Sequence, residues 1–422
     1  MTGALPRRAA AELLMLTLDS RRTLDEAMVK SESFNELEGP DRGFARAIAS
    51  AALRELGRID AALSPLLSRP LEAASPAIRA LLRAGAVQLW RLETPPHAAV
   101  SQTVEAAKDW PEARSGGSFL NAVLRRAAET DPGLDAMPAT AIWPDWLARR
   151  FAEDLGPDAA EQLARHQLAE PPIFLSARSD PAEIAHHTGG DLMESGSVRL
   201  TGAAIESLPG FETGDWWVQD AAAALPAKLL AAGPGEHVVD LCAAPGGKTL
   251  QLAATGARVT AVDRSKPRLE RLKENLARTG LSADVVAADA DTWRPPVPVK
   301  KLLLDAPCSA LGTLRRHPEG AWIKRETEID RFPAAQARLL EAAAEMVAPG
   351  GIVIYCVCTP LKAEGRDIVE AALAGGRFRQ HPVHADEVPG FGHCVTPEGD
   401  VLTLPQEGAG HDAFHVSRLV RV

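Results

Sequence analysis

Two apolar, strand-like runs of the sequence each end at a cysteine. The first, KLLLDAPCS, carries Asp305 three residues before Cys308, and the second, GIVIYCVC, ends at Cys358. A thiolate is a strong nucleophile and a carboxylate can hold or give a proton, so these residues could perform covalent catalysis. Cys356 lies two residues before Cys358 and would face the same side of a strand, so periodicity does not decide which thiol reacts. The alternative is that these cysteines are small core residues.

A glycine-rich loop lies upstream of both cysteines. Residues 242–248 read CAAPGGK, follow a strand-like run and open a helix-like one. Cys242 stands where a Walker A loop needs its first glycine, so a phosphate loop is disfavoured. Backbone donors at a helix N-terminus still suit a nucleoside that carries a carboxylate or hydroxyls.

Two aspartates end the next two strand-like runs. Asp263 ends RVTAVD, where an acid can bind ribose hydroxyls, and Asp289 ends VVAAD, where an acid can meet an adenine amino group. Either one alone could be a turn or helix-cap residue. Beside the glycine loop, the acids indicate a cofactor site that is more typical of an S-adenosylmethionine methyltransferase than of a dehydrogenase.

The residues of the DAPCS segment suit carbon methylation better than amine methylation. Cys308 stands where many amino-methyltransferases place an aromatic ring that stacks on the amine. The C5 atom of cytosine is a poor nucleophile, but a thiolate that adds to C6 loads electron density onto C5, which can then take a methyl group. A carboxyl group near N3 helps the addition, and Asp305 is placed for that role.

The elements that position these residues predict two structural classes in one chain. Residues 1–130 have helical periodicity throughout and predict an all-α domain, and residues 131–144 read as a linker. Residues 145–215 predict a small α+β subdomain. Residues 216–422 alternate strand and helix patterns, which predicts an α/β, Rossmann-like, doubly wound and mostly parallel sheet with its ligands at the carboxyl ends of the strands.

Composition narrows the class of protein. The net charge of −10 argues against a surface coated in basic residues, although a local basic groove remains compatible with it. Five cysteines without a CxxC pair indicate neither a disulfide framework nor a zinc site, so we expect no metal and a cytoplasmic protein. No apolar run reaches membrane-spanning length, and we expect a monomer that does not bind membranes.

Several long motifs resemble one family. DLCAAPGGKT, DAPCSALGTLRRHPE and IYCVCT are similar to motifs of the RsmB/Nop2/Sun family of RNA cytosine-5 methyltransferases. LLRAGAVQLWRLETPPHAAVSQTVEAAK and FLNAVLRRA resemble the NusB-like, RNA-binding helical domain of its RsmB-like members, and AGHDAFHVSRL resembles the closing strand. The resemblance implies methylation of cytosine C5 in RNA, most of all 16S ribosomal RNA, in a single-stranded or loop segment, with S-adenosyl-L-methionine as the cofactor.

The resemblance also implies roles for individual residues. Cys358 matches the family's nucleophile, Cys308 matches the cysteine that assists product release, and Asp305 is kept. The expected cofactor-binding set is Cys242, Ala243, Ala244, Pro245, Gly246, Gly247, Lys248, Asp263, Arg268, Asp289 and Asp305.

The sequence departs from the family pattern near the nucleophile. Val357 and Thr359 flank Cys358 where Thr and Ser are usual, Gly365 and Arg366 stand at the Asn and second Glu of a Glu-Asn-Glu motif, and Ala413 and His415 replace Gly and Phe. The departures at Val357 and Gly365 keep open the alternative of a catalytically weak RNA-binding assembly factor. A separate alternative keeps the enzyme but makes it a transfer RNA cytosine-5 methyltransferase.

Basic side chains cluster around the motifs and could bind RNA phosphates, although each cluster could equally be a solvated helix face. They are Arg264, Lys266, Arg268, Arg315, Arg316, His317, Lys324 and Arg325.

Overall fold

The computed structural model describes residues 3–202, 204–405 and 410–422, and the chain divides into two compact units. Unit 1 comprises Met1–Glu170 and Leu314–Glu326, and unit 2 comprises Pro171–Thr313 and Thr327–Val422. Ala409, the first residue of the AGHDAFHVSRL motif, lies outside the described residues, as do Met1 and Thr2 at the start of the predicted all-α domain.

Between residues 3 and 170, unit 1 consists of helices joined by turns. The α-helices are α1 (Ala4–Leu18), α2 (Leu24–Lys30), α3 (Glu32–Asn35), α4 (Gly39–Arg54), α5 (Leu56–Leu63), α6 (Pro76–Trp90), α7 (Pro96–Lys108), α8 (Gly117–Glu129), α9 (Asp145–Leu155) and α10 (Pro157–Leu168). Ser75 caps α6 by accepting a hydrogen bond from the Ile78 N–H, and Pro76 opens the helix because its missing N–H would have no partner there. Alanine and leucine side chains form the core, in which Leu13, Leu14, Ile48 and Leu53 are fully buried. The predicted all-α class is confirmed.

The segment 131–144 contains short 3-10 turns. They span Leu134–Ala136 and Ala139–Ile142. Ile142 and Trp143 are buried, and Trp143 donates a hydrogen bond from Nε1 to the Gln167 side chain at 2.6 Å. This segment is therefore a packed part of unit 1.

Unit 2 begins with a small antiparallel sheet. Its strands are β1 (Ile173–Ala177), β2 (Asp191–Leu192), β3 (Val198–Leu200) and β4 (Trp216–Val218), in the order β2-β3-β1-β4, with α11 (Pro181–Thr188) beside them.

A larger sheet fills the rest of unit 2. Its strands are β5 (His237–Leu241), β6 (Arg258–Asp263), β7 (Asp284–Ala287), β8 (Val299–Asp305), β9 (Val347–Val357), β10 (Phe378–Gln380), β11 (Val401–Thr403) and β12 (Phe414–Arg421). The order is β10-β12-β9-β8-β5-β6-β7, and β11 pairs with β12. Strands β5 to β9 pair in parallel, whereas β12 pairs antiparallel with β9, β10 and β11. The predicted doubly wound, mostly parallel sheet is confirmed.

Further helices precede, connect or follow the parallel strands, and the one at Gly320–Ile323 belongs to unit 1. They are α12 (Leu225–Leu230), α13 (Gly247–Ala254), α14 (Lys266–Thr279), α15 (Gly320–Ile323), α16 (Glu326–Ile329), α17 (Phe332–Met346) and α18 (Arg366–Ala374). Within the part of the chain that the structure describes, no helix combines the length and apolarity that a membrane span needs. Because β5, β6, β8 and β9 are parallel and adjacent, the residues that follow them meet at one edge of the sheet.

Candidate active site

The glycine loop makes a tight turn between β5 and α13. Cys242 has a φ of 59°, in the left-handed region that non-glycine residues seldom occupy, and Gly246 has a φ of 110°. A Cβ on Gly246 would lie 2.9 Å from the Leu272 side chain, so both the backbone conformation and the packing require glycine there. The turn brings residues 242–248 to the sheet edge as the sequence predicts.

Asp240, inside β5, connects this strand to α13 through a side-chain hydrogen bond. Its carboxylate is fully buried and accepts a 2.5 Å hydrogen bond from the Thr249 hydroxyl. Burial raises the pKa of Asp240 to about 7, although the hydrogen bond from Thr249 opposes this rise. Sequence reasoning gave this residue no role.

Asp263 closes the other side of the loop. Its carboxylate accepts hydrogen bonds from the Ala244 N–H at 3.2 Å and from the Ser265 N–H at 2.8 Å. The Arg268 guanidinium lies 3.8 Å from the same carboxylate and also donates to the Ala244 carbonyl. Three predicted cofactor residues, Ala244, Asp263 and Arg268, are thus in direct contact.

Asp289 has a turn-forming role in this structure. Strand β7 ends at Ala287, two residues before it. The Asp289 carboxylate accepts a 3.1 Å hydrogen bond from the Asp291 N–H. The structure does not place Asp289 in contact with the glycine loop.

The buried Lys248 and the partly exposed Asp305 form an ion pair at the centre of the sheet edge. The Lys248 ammonium lies 2.8 Å from the Asp305 carboxylate and 5.2 Å from the centre of the Phe414 ring. Burial opposes the charge of Lys248, but Asp305, Cys356 and Cys358 outweigh burial and raise the pKa of the ammonium. Sequence reasoning named both residues and did not foresee their pairing.

A cleft of about 380 Å³ opens beside this pair. Its walls include Gly246, Gly247, Lys248, Asp305 and Trp217, whereas Asp263 and Asp289 are not among its lining residues. Its volume is within the range of small-molecule sites, and backbone donors, a cation and a carboxylate line it. These residues fit a zwitterionic nucleoside ligand.

The two predicted catalytic sulfurs lie side by side. Cys308 follows the end of β8, Cys358 follows the end of β9, and their Sγ atoms are 3.3 Å apart. The hydrogen bond with Cys358, together with burial, raises the pKa of the Cys308 thiol well above its usual value. The two thiols therefore form a hydrogen-bonded pair.

Cys356 has a different environment. Its side chain is fully buried, and its Sγ lies 3.5 Å from the Asp305 carboxylate. Burial first, and then the Asp305 charge, raise the pKa of Cys356 well above its usual value. Cys358 lies beyond the end of β9 and is partly exposed. The structure thus separates two thiols that periodicity left equivalent.

Glu364 and Gln336 also reach the Cys308 segment. The Glu364 carboxylate accepts hydrogen bonds from the Ser309 N–H at 2.8 Å and from the Gln336 side chain at 3.0 Å. The Gln336 amide also donates to the Pro307 carbonyl at 3.0 Å. Glu364 and Gln336 are distant from Cys308 along the chain, so no motif in the sequence suggests a role for either of them beside it.

Some of the basic side chains make contacts within their own unit. Arg315 donates hydrogen bonds to the carbonyls of Ala169 at 3.2 Å and of Glu170 at 2.9 Å, all within unit 1. The His317 ring lies 3.7 Å from the buried Glu319 carboxylate. Arg315 therefore has a structural contact that the sequence did not suggest.

Metal ligation has no visible basis in the described residues, where no cluster of three or more His, Cys, Asp or Glu side chains could hold an ion.

Comparisons with known proteins decide the family. A model described as 16S rRNA methyltransferase RsmB/F matches residues 227–420, and a NusB family model matches residues 5–129. A ribosomal RNA small subunit methyltransferase B from Xanthomonas campestris pv. campestris is 39% identical over 418 residues, which cover 93% of this chain and 92% of that protein. The chain belongs to the RsmB/F family of rRNA methyltransferases. The resemblance expected from the sequence is confirmed.

Solved structures share the fold of this RsmB/F family member. The crystal structure of the protein PH0851 is 24% identical, covers 99% of both chains and has a TM-score of 0.79. NSun6 from Pyrococcus horikoshii is 16% identical, covers 66% of this chain and 98% of its own, and has a TM-score of 0.56. At these identities the similarity establishes the common fold.

Two departures from the RsmB/F motifs lie in contact. A Cβ on Gly365 would lie 2.8 Å from the His415 ring, so glycine leaves the space that the imidazole fills. His415 is buried on β12, where its backbone pairs with Val357, and its Nε2 lies 3.4 Å from the Asp400 carboxylate. Gly365 and His415 therefore depart from the family motifs together, as one packing contact. The Cys308 and Cys358 sulfurs are 3.3 Å apart in the same structure.

Proposed function

We propose that this chain transfers a methyl group from S-adenosyl-L-methionine to C5 of a cytosine in 16S ribosomal RNA, through a bond between Cys358 Sγ and cytosine C6. The observation that carries this proposal is the meeting of two cysteine sulfurs, 3.3 Å apart, beside a lysine–aspartate ion pair at the edge of the sheet. Pyrimidine C5 methylation needs a cysteine thiolate and a group that stabilises an added proton, and Cys358 and Asp305 would fill these two roles.

The raised pKa of Cys308 favours Cys358 as the attacking thiolate. The Lys248 ammonium interacts electrostatically with Cys358, which is partly exposed at the end of β9. The Cys308 thiol is held neutral by its surroundings, because a hydrogen bond and burial raise its pKa. Because Cys308 holds its proton, Cys358 is the sulfur of the pair that we assign as the thiolate.

Asp305 would act at N3 of the cytosine. The Asp305 carboxylate would accept a hydrogen bond from the proton that N3 gains when Cys358 adds to C6, and so would stabilise the adduct. The Lys248 ammonium lies 2.8 Å from that carboxylate and balances its charge.

The remaining steps methylate C5, remove the added protons and release Cys358 as a thiolate. The bound cofactor supplies an electrophilic methyl group. After C5 has taken it, a base removes the C5 proton, N3 loses its added proton, and the bond between Cys358 Sγ and C6 breaks to return the thiolate. Cys308, in contact with Cys358, is placed to assist this release.

The glycine loop and Asp263 would hold the cofactor. The loop presents backbone groups at the start of α13, and Asp263 keeps the loop in place through the Ala244 N–H. Arg268, in contact with both, belongs to the same proposed set.

The choice of 16S RNA rests on the relatives. The curated proteins that match nearly the whole chain are named small subunit ribosomal RNA methyltransferases. The target base must leave its stack to reach a thiol, so an unpaired cytosine is the expected substrate.

The test uses purified full-length protein, methyl-labelled S-adenosylmethionine and unmodified small-subunit RNA, with transfer RNA as a parallel substrate. Nucleoside analysis should find the label in 5-methylcytidine from 16S RNA. Cys358→Ala should abolish incorporation, and Cys394→Ala, which changes a buried cysteine outside the sulfur pair, should not. Label in transfer RNA alone would reassign the substrate, and labelling by Cys358→Ala at the normal rate would refute the mechanism.

A further inference from the structure

Two buried polar side chains hydrogen-bond the backbone on either side of Cys308. The Pro307 carbonyl before it accepts a hydrogen bond from Gln336 Nε2, and the Ser309 N–H after it donates to Glu364 Oε2. Gln336 also donates to the same Glu364 oxygen, so the two side chains form one clamp. Both are fully buried at 0% exposure.

The clamp is joined to the strand that carries the other sulfur. The Tyr355 hydroxyl, on β9, donates a 2.5 Å hydrogen bond to the Glu364 carbonyl. The Gly312 N–H, beyond Cys308, donates to the Cys358 carbonyl at 2.9 Å. The backbone on either side of the sulfur pair is therefore fixed to a common set of groups.

The full burial of the Glu364 carboxyl group is energetically unfavourable and calls for a functional explanation. Burying an ionised carboxyl is costly unless hydrogen bonds compensate for the lost hydration. A glutamine would fill the same space and could accept the Ser309 hydrogen bond without that cost. What the carboxylate adds beyond an amide is negative charge close to the Cys308 sulfur.

The groups that act on the Cys308 proton can be named from each neighbouring element. The hydrogen bond with Cys358, burial, the charge of Cys358 and the charge of Glu364 raise the pKa of Cys308, whereas a hydrogen bond from the Ala310 backbone lowers it. Tyr355 on β9 interacts with the same thiol. Glu364, in the turn after β9, is thus one of the groups that raise the pKa of the Cys308 thiol.

We propose that Glu364 is a positioning residue that clamps Cys308 against Cys358 and keeps the Cys308 sulfur protonated, so that the thiolate of the pair forms on Cys358. A protonated Cys308 can donate a hydrogen bond to the Cys358 thiolate and does not compete for C6 of the base. The assignment of the two chemical roles rests on the proposed function, whereas the clamp and its effect on the Cys308 proton do not.

The test follows alkylation of each cysteine by iodoacetamide, with peptide mass spectrometry, in wild type, Glu364→Gln and the matched control Glu370→Gln. Glu370 is exposed on α18 and undergoes the same chemical change. Because thiolates react, removing the Glu364 charge should speed Cys308 alkylation by about threefold or more at a fixed pH and move its pH profile to lower pH. The control should match wild type.

The buried Cys356 reports whether the fold has opened. In Glu364→Gln it should stay as protected as in wild type, so that faster Cys308 alkylation reflects charge and not exposure. Unchanged Cys308 reactivity with Cys356 still protected would overturn the proposal.

A second variant covers the case in which Glu364→Gln fails to fold. Glu364→Asp keeps the charge but shortens the side chain, so it should weaken the grip on Ser309 and slow methyl transfer while leaving the Cys308 pH profile nearer to that of wild type. Normal turnover in this variant would contradict the clamp. If wild type does not methylate RNA but Cys308 still responds to Glu364→Gln, the proposed function fails and the clamp stands.

Discussion

The Cys308 and Cys358 sulfurs lie 3.3 Å apart although fifty residues of chain separate them. The parallel pairing of β8 with β9 produces this approach, because it places Asp305 beside Cys356 and leaves the residues after both strands at one edge. Glu364 holds the backbone beside Cys308 through the Ser309 N–H, and Cys358 interacts electrostatically with Lys248. The two thiols are therefore chemically distinct in the folded protein, which is what a division of labour between them requires.

Replacing Lys248 should remove most activity. Lys248→Met leaves the Asp305 carboxylate without its cation and takes positive charge away from Cys358, so methyl transfer should fall by about 100-fold or more. Stability should fall by up to about 3 kcal/mol, because Asp305 keeps some contact with water. Methylation kinetics and urea unfolding measure the two effects.

Lys273→Met is the matched control for that change. Lys273 is an exposed lysine of α14 that pairs with Glu270, so its loss should alter neither quantity appreciably. Equal methylation rates in Lys248→Met and Lys273→Met would show that the Lys248–Asp305 ion pair has no part in catalysis.

Asp263 should govern cofactor affinity. Asp263→Ala removes the acceptor of the Ala244 and Ser265 N–H groups, and the loop that they position should loosen. We expect the affinity for S-adenosylmethionine to fall by about tenfold or more, as measured by calorimetry. Asp284→Ala, at the exposed start of β7, is the control and should bind normally. If both variants bind as wild type does, the loop does not depend on Asp263.

Asp240 should make stability depend on pH. Its pKa is raised from its ordinary value to about 7, so the folded state holds this proton more tightly than the unfolded chain does. Its contribution to stability is therefore largest at low pH and is lost as the pH rises from about 4 to 7. Asp240→Asn keeps a partner for Thr249 but has no proton to lose.

The free energy of unfolding of wild type and Asp240→Asn should be compared across that pH range. The variant should gain stability relative to wild type as the pH rises and then keep a constant difference above about pH 7. A difference that does not change between the two limits would show that Asp240 titrates normally.

Gly365 and His415 should be energetically coupled. A Cβ at Gly365 meets the imidazole at 2.8 Å, so Gly365→Ala should destabilise the protein by about 1–3 kcal/mol. With His415→Ala present, the space is free and the added penalty should fall by about 1 kcal/mol or more. Denaturant unfolding of the single and double variants measures this coupling, and strict additivity would argue that the two departures are independent.

Local patterns predicted much of the fold. RVTAVD matches strand β6 residue for residue, and α6 begins at Pro76, directly after Ser75, a residue pair that is typical of a helix start. These signals are local, since an apolar run or a cap depends on neighbouring residues. The glycine loop was equally readable, because its residues are consecutive.

The side-chain partners in the site were less readable. Glu364 and Gln336 meet Cys308 only after the sheet and α17 have formed, and no spacing along the chain encodes that meeting. Asp289 looked like the end of a strand, but β7 stops at Ala287 and the aspartate forms a turn. Burial and tertiary pairing, which a single sequence does not display, decide such positions.

The most direct test of the account identifies the cysteine that becomes bonded to RNA. Cys308→Ala, Cys358→Ala and wild type are incubated with small-subunit RNA and S-adenosylmethionine, and denaturing gels and peptide mass spectrometry then locate any covalent adduct. Cys308→Ala should accumulate protein–RNA adduct attached at Cys358, because release is impaired after attack, and Cys358→Ala should form none. An adduct on Cys308 in the Cys358→Ala protein, with 5-methylcytidine still produced, would contradict the assignment of the nucleophile.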